Sequence, residues 1–319
     1  MGLRDRWCIR TVLVAVLVYL FGLAASAQNG SSRTAPSPSI FVDCGKGGSV
    51  TGTLARLVKS GNTRAITISV AGTCKENIVI ISFDHLVLQG VSKGTQHSPT
   101  LEDASNGTAA VVFVVNSYDV TLQGFTINGG SPGVGCVQDS FCTLYLNTIQ
   151  QSFSEGVRVA RASAILLNNS VLGNAGRGVS AVNGSKLHTI SNTINNNTGG
   201  GGILAFSDIY LFAENDTIQN NPVGILAQSG SVLRLAGLSI TNNAGDGVRL
   251  DSSSTASFGD NVITGNGHNG VAIHDLSFAS FSGDQVSGSL TQPDVACYPQ
   301  YSATRGSSSV GGTTNCVEP

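Results

Sequence analysis

The feature that most constrains this chain is a phrase it writes six times. Aligned on a glycine that precedes an apolar residue, the copies read NTIQQSFSEGVRVAR, NSVLGNAGRGVSAVN, NTINNNTGGGGILAFS, DTIQNNPVGILAQS, LSITNNAGDGVRLDS and NVITGNGHNGVAIHD. An asparagine recurs in the turn at Asn174, Asn197, Asn221, Asn243 and Asn266, with spacings of 23, 24, 22 and 23 residues. A fixed period in this range marks a chain of stacked units, none of which can bury its apolar face alone.

Within a unit the apolar residues fall at every second position: Val157 and Val159, Ile203 and Ala205, Val248 and Leu250, Val271 and Ile273. Period two is the signature of a strand with one buried face. No segment of the repeat zone sustains a 3.6-residue period, which argues against leucine-rich and helical solenoids. A unit of roughly 23 residues holds about three short strands and their turns. Parallel stacking then gives each backbone group partners one coil above and below, about 4.8 Å away. Asparagines at one turn of successive coils can join in a hydrogen-bonded ladder through their amides. Asparagine also tolerates the left-handed conformation of a tight turn. The glycines at Gly156, Gly178, Gly202, Gly224, Gly247 and Gly270 fit a corner where a side chain would collide or φ is positive. The phrase therefore reads mainly as scaffold.

Strand-like alternation extends back through AITISVAGTCKENIVI, FDHLVLQG, AAVVFVVNSYDVTLQGFTIN and SFCTLYLNTI. Ahead of these, VTGTLARLVKSGN spaces Leu54, Leu57 and Val58 as on one helical face, with a Thr start and a stop at Gly61. A short helix there would shield the open edge of the first coil. At the other end, DVACYPQYSATRGSSSVGGTTNC breaks the period and reads as a disulfide-stapled cap.

The first 27 residues combine a basic start (MGLRDRWCIR), an apolar run (TVLVAVLVYLFGLA) and ASA ending at Ala27, the anatomy of a cleaved export signal. The apolar run falls short of the ~20 residues that cross a bilayer. The expected product is secreted or periplasmic, without a transmembrane segment. The expected organisation is signal peptide 1–27, flexible linker 28–39, β-helix with its capping helix 40–290 and C-terminal cap 291–319. Without the leader the chain keeps 14 basic and 18 acidic side chains, with no basic cluster, which argues against nucleic acid as a partner. Charged residues make up 11%, well below an ordinary globular enzyme, which suits a β stack rich in turns. Six cysteines then remain, and an even number in an exported chain reads as disulfides. They allow about 15 pairings. The sequence-local couples are Cys44–Cys74, Cys136–Cys142 and Cys297–Cys316, and these are the expected bonds. No Cys-x-x-Cys occurs and no histidine adjoins a cysteine, so a metal or thiol site is not expected.

These residues resemble the right-handed parallel β-helix superfamily, whose repeats of the form N-x-I-x-x-N-x-x-G-[IV] occur in pectate-lyase-like and periplasmic carbohydrate-binding or sugar-hydrolysing proteins. The likeness covers roughly Asp43 to Gln285. The two ends look like those of secreted bacterial β-helix proteins of unassigned activity. The resemblance implies an all-β right-handed parallel β-helix, and it leaves the reaction open. The Asn-Thr-Asp, Asp-Asp and Arg-Ile-Lys elements of polygalacturonase-like hydrolases are absent, although such chemistry needs paired carboxylates. The acidic cluster by which pectate lyases hold Ca²⁺ is absent, as are nonapeptide Ca²⁺ repeats. Copper-linked relatives suggest a metal, but the sole Met is the initiator and five scattered His make no ligand set. No cofactor and no metal is expected.

One constellation stands out. Outward positions of the strand after the glycine form two columns: Arg158, Ser180, Leu204, Leu226, Arg249, Ala272, and Ala160, Val182, Phe206, Gln228, Asp251, His274. On adjacent coils Asp251 would sit beside His274, with Arg249 on the same face. A carboxylate-oriented histidine can serve as a base, and an arginine can bind a sugar carboxylate. Leu204, Phe206 and Leu226 would offer an apolar platform for a sugar ring. The blander reading is a solvated charge ladder beside residues covered by the C-terminal cap or another subunit. The expected partner is a polysaccharide or cell-surface glycan, contacted by Leu204, Phe206, Gln228 and Arg249. A lyase or hydrolase using Asp251 and His274 and a passive adhesion scaffold are the alternatives. His188, Phe212 and Arg234 form a second candidate on another face. Asn-x-Ser/Thr sequons start at Asn29, Asn106, Asn168, Asn183, Asn196 and Asn215.

Overall fold

The computed structural model of the chain describes residues 38–92, 99–290, 293–298, 303–306 and 310–316. The expected leader, the linker up to residue 37 and the sequon at Asn29 lie outside them. Three sheets run the length of the stack. Sheet 1 has 12 strands, from Ser39–Asp43 to Ala303–Arg305; sheet 2 has 10 three-residue strands, from Thr73–Lys75 to Gln285–Ser287; sheet 3 has 10, from Ile78–Ile81 to Val295–Tyr298. Each coil visits sheet 1, sheet 2 and sheet 3 in turn, and strands of successive coils pair in parallel.

The alternation in the sequence sets the register. Val157, Val179, Ile203, Ile225, Val248 and Val271 stand directly over one another, and all are fully buried. Ile194, Ile218, Ile240 and Ile263 form a matching column from sheet 2. Each such side chain contributes roughly 1.5–3 kcal/mol of burial. A slip of one residue would turn a whole strand inside out, so the register is firmly specified.

A stack of polar side chains lines each of the three corners. Between sheets 2 and 3 lie Asn174, Asn197, Asn221, Asn243 and Asn266, each nearly inaccessible to solvent. Asn197 shows the pattern: its backbone N–H and Nδ2 both donate to Oδ1 of Asn221, at 3.0 and 3.1 Å, and Nδ2 also donates to the Val171 carbonyl. Both amide protons and both oxygen lone pairs are used. A second column, at the corner between sheets 1 and 2, runs Asn147, Asn169, Asn192, Asp216 and, after Leu238, Asn261 and Asp284. Between sheets 3 and 1, Ser117, Ser140, Ser185, Ser231, Ser254 and Ser277 are buried; the hydroxyl of Ser140, for example, bonds the Val137 carbonyl at 2.6 Å. The recurring glycines have no left-handed φ. A Cβ on Gly178 would lie 2.6 Å from Ile194 and 2.8 Å from the ladder amide of Asn197, so collision, not φ, is what requires glycine there.

The sequons follow from the same corners. Asn106, Asn168, Asn183, Asn196 and Asn215 all have φ between 53° and 57°. Asn168, Asn196 and Asn215 directly precede the ladder residues Asn169, Asn197 and Asp216, and a strand-opening Ser or Thr often follows. At the Asn196 sequon the ladder is carried by Asn197, with Asn196 exposed beside it.

The short helix α1 spans Val50–Lys59, with the Ser49 hydroxyl accepting from the Gly52 N–H as its N-cap. Glu76 accepts from the Val50 and Thr51 N–H groups at 2.7 and 3.0 Å. Helix α1 buries Val50, Thr53, Leu54 and Leu57; Val58, expected on that face, points outward and is 49% exposed. The disulfides are Cys44–Cys74, Cys136–Cys142 and Cys297–Cys316. Past the sequence period, Val295–Tyr298 and Ala303–Arg305 still add as the last strands of sheets 3 and 1.

Candidate functional site

The outer face of sheet 3 carries the first column read from the sequence, Arg158, Ser180, Leu204, Leu226, Arg249 and Ala272, and the second as far as Ala160, Val182, Phe206 and Gln228; the strand of the next coil ends at Leu250, so register does not pair Asp251 with Gln228 or with His274. The face changes character along its length. Toward the N-terminus it shows Val79, Ile81, Phe113, Val115 and Val137. Toward the C-terminus it becomes polar.

Phe206 is 41% exposed, whereas Leu204 is 6% exposed, so the apolar platform is narrower than three side chains. Leu226 is half-buried. Asp251 is buried as well, at 5%. Arg249 explains that burial: its Nε donates to both Asp251 oxygens at 3.1 and 3.0 Å, and Gln228 Nε2 adds a third bond at 3.2 Å. Asp251 is therefore held by Arg249 and Gln228; no ion pair within 4.0 Å joins it to His274. His274 instead stacks on Tyr298 one coil further on, with ring centroids 4.8 Å apart and planes 17° from parallel. Beside it, the Asn269 N–H donates to buried Asp246 at 3.0 Å. Burial lowers the His274 pKa from its ordinary value, and Arg249 adds to that; Asp251, Asp246 and Asp275 oppose it. Neutral imidazole is thus the favoured form at neutral pH. Tyr298 was missed because it lies in the segment read as a non-repeating cap.

The second candidate closes into a tighter cluster on sheet 1. His188, Phe212 and Arg234 share one column. His188 stacks on Phe212 at 4.7 Å, and the Arg234 guanidinium sits 5.2 Å from the Phe212 ring centre. Glu214, unnoticed in the sequence, lies two residues after Phe212 on the same face and reaches His188 Nε2 at 3.1 Å. Simple alternation from Phe212 would have found it.

Three parallel sheets wound as successive coils define a parallel β-helix, and family comparisons agree. A family described as a right-handed β-helix region matches residues 155–292, and one described as periplasmic copper-binding protein (NosD) matches residues 62–210. This chain is a right-handed parallel β-helix repeat protein. No curated protein matches it in sequence. Among solved structures, the mannuronan C-5 epimerase AlgE4 A-module of Azotobacter vinelandii is similar at 12% identity and a TM-score of 0.53, over 84% of this chain and 90% of that one. An alginate lyase from Paenibacillus sp. str. FPU-7 gives 13% identity and a TM-score of 0.50, over 86% and 99%. The ORF18 protein of Geobacillus virus E2 gives 11% and 0.51, over 88% and 60%. At such identities the likeness concerns the fold.

The described residues do not build a copper site. Among the described residues, the grouping of three potential ligands is Cys44, Cys74 and Glu76. Both sulfurs are tied in a disulfide, and Glu76 caps α1. Neither thiolates nor clustered imidazoles are offered there.

Also among the described residues, no helix is long and apolar enough to cross a membrane.

Proposed function

We propose that this is an exported protein that binds an extracellular polysaccharide along the outer face of sheet 3. Phe206, Gln228, Arg249 and His274 make the contacts, while Leu204 and Asp251 shape the surface behind them. The observation that carries this reading is the run of an exposed aromatic, an amide, a guanidinium and a half-buried imidazole on consecutive coils. Coils rise about 4.8 Å apart, close to the length of one sugar residue, so a saccharide lying along the stack meets a new side chain at each step. The leader-like start of the chain, the NosD likeness and the polysaccharide-acting proteins among its structural neighbours support the setting. Binding is favoured over lyase or hydrolase chemistry because Arg249 and Gln228 already occupy the carboxylate that would orient His274.

A glycan array followed by titration tests this. Phe206→Ala should weaken the saccharide bound by the wild type about five- to tenfold, the worth of one aromatic contact. The Phe206→Ala/Arg249→Ala pair should weaken it further. Phe206 is exposed, so the single variant keeps its fold. Wild-type affinity in Phe206→Ala, or no hit on any glycan, removes the proposal.

A further inference from the structure

One groove lies off the sheet 3 face, at the corner where sheet 3 turns into sheet 1, and its origin is a missing residue. The corners Gln138–Ser140 and Asn183–Ser185 have three residues each, whereas the coil between them turns with only Arg161 and Ala162. Gln138 and Asp139 are both left-handed, as are Asn183 and Gly184; in the short corner only Arg161 is. The Asp139 N–H still bonds the Arg161 carbonyl at 2.8 Å, so the stack continues behind a notch. The resulting cavity measures about 710 Å³, within the range of small-ligand sites.

Its lining combines two kinds of surface. Tyr118 and Phe141 form one wall, their ring centroids 5.8 Å apart, and Tyr118 is 59% exposed. Arg161 and Lys186 supply two exposed cations, and among the described residues neither forms an ion pair. Asp139 is the one carboxylate in the lining, and Asn183 adds an exposed amide. A hydrocarbon ligand would waste the cations, and a free anion would waste the rings. The geometry points to a second saccharide site, one that takes a sugar ring bearing an anionic substituent: ring face on Tyr118 and Phe141, carboxylate or sulfate on Arg161 and Lys186, hydroxyls on Asp139 and Asn183. This site is separate from the sheet 3 face and stands or falls independently of it.

Calorimetric titration with oligogalacturonate, a sulfated chondroitin oligosaccharide and a neutral cello-oligosaccharide of matched length tests it. Arg161 is left-handed, so the variant is Arg161→Asn/Lys186→Gln, since asparagine accepts that conformation. Both side chains are exposed, and an unchanged melting curve verifies the fold. The wild type should bind an anionic oligosaccharide and not the neutral one, more weakly as salt rises. The double variant should lose about tenfold or more in affinity, and Tyr118→Ala should lose less. The two anionic probes distinguish carboxylate from sulfate. Equal binding of the neutral chain, no binding of either anionic chain, or wild-type affinity in the double variant overturns the inference. If Phe206→Ala weakens binding of the anionic chain while the double variant keeps wild-type affinity, the corner site is refuted; loss in the corner variants bears on the corner site alone, because its lining shares no residue with the sheet 3 face.

Discussion

The two amide columns of this solenoid occupy neighbouring corners of the same coils, yet they differ in continuity. Between sheets 2 and 3, asparagine follows asparagine from Asn174 to Asn266. Between sheets 1 and 2, the run stops at Asp216, the next coil offers Leu238, and a new run ends at Asp284. An asparagine within a ladder needs an acceptor on the following coil for its second amide proton. Leu238 has none. A carboxylate brings no such proton, so aspartate is the residue that can finish a run. Asp216 does so by accepting from the Asn192 N–H and Nδ2 at 2.6 and 2.9 Å and from the Thr189 hydroxyl at 2.6 Å. The comparison teaches why a leucine fits at position 238: it follows a residue that has no amide proton to offer it.

Breaking the uninterrupted column without one should have the largest effect. Asn243 accepts from the Asn221 N–H and Nδ2, and donates twice to Asn266 and once to the Ile218 carbonyl. Asn243→Leu places a leucine where Leu238 stands in the other column, but after an asparagine. Several buried groups lose partners at once, at roughly 1–3 kcal/mol each, partly offset by leucine burial. Urea unfolding should show a loss of about 3–5 kcal/mol, with saccharide binding retained in the folded protein. A loss below about 1 kcal/mol would show that the ladder is ornamental.

The terminator has its own cost, which shows as pH dependence. Burial pushes the Asp216 pKa up from 3.8 to about 6, against the pull of Thr189, Asn192 and nearby His188. The folded state therefore holds a proton that the unfolded chain releases at lower pH, and stability falls as pH rises between about 4 and 6. The full swing is about 3 kcal/mol. Measured against Asp216→Asn, which does not titrate there, the wild type should lose about that much between pH 4 and pH 7. A difference that stays flat across this window would mean that Asp216 is charged throughout.

The sequence disclosed these features unevenly, for physical reasons. The first column was legible because one residue type repeats at one spacing, from Asn174 to Asn266. The second was not, because Asn, Asp and Leu alternate in it; its terminators disguise it. Three disulfides could be read because both cysteines of each lie in nearby segments. At the site, strand register correctly set Arg249 over Ala272 and Leu250 over Ile273, but register fixes backbone neighbours and not where side chains turn. Asp251 lies just past the end of the strand that carries Arg249, two residues away, and that short reach makes Arg249 rather than His274 the carboxylate's partner. The corner groove left no motif at all, since it comes from one residue fewer between Ala160 and Ser163.

The finest test joins what the second column keeps apart. Asp216→Asn alone should leave an amide proton facing Leu238. Leu238→Asn alone should bring an amide oxygen against the Asp216 carboxylate, while sacrificing a leucine that is 1% exposed. Together they restore donor to acceptor, and because the backbone N–H of residue 238 already reaches Asn261 Oδ1 at 2.8 Å, the repaired run would extend unbroken from Asn147 to Asp284. Both singles should be destabilised near neutral pH once the titration of Asp216 is accounted for. The double should be less destabilised than their sum by about 1 kcal/mol, the worth of one hydrogen bond formed inside the stack. Strict additivity across this cycle would show that the two sites do not meet, and that aspartate ends the run for some reason other than its lack of a proton to give.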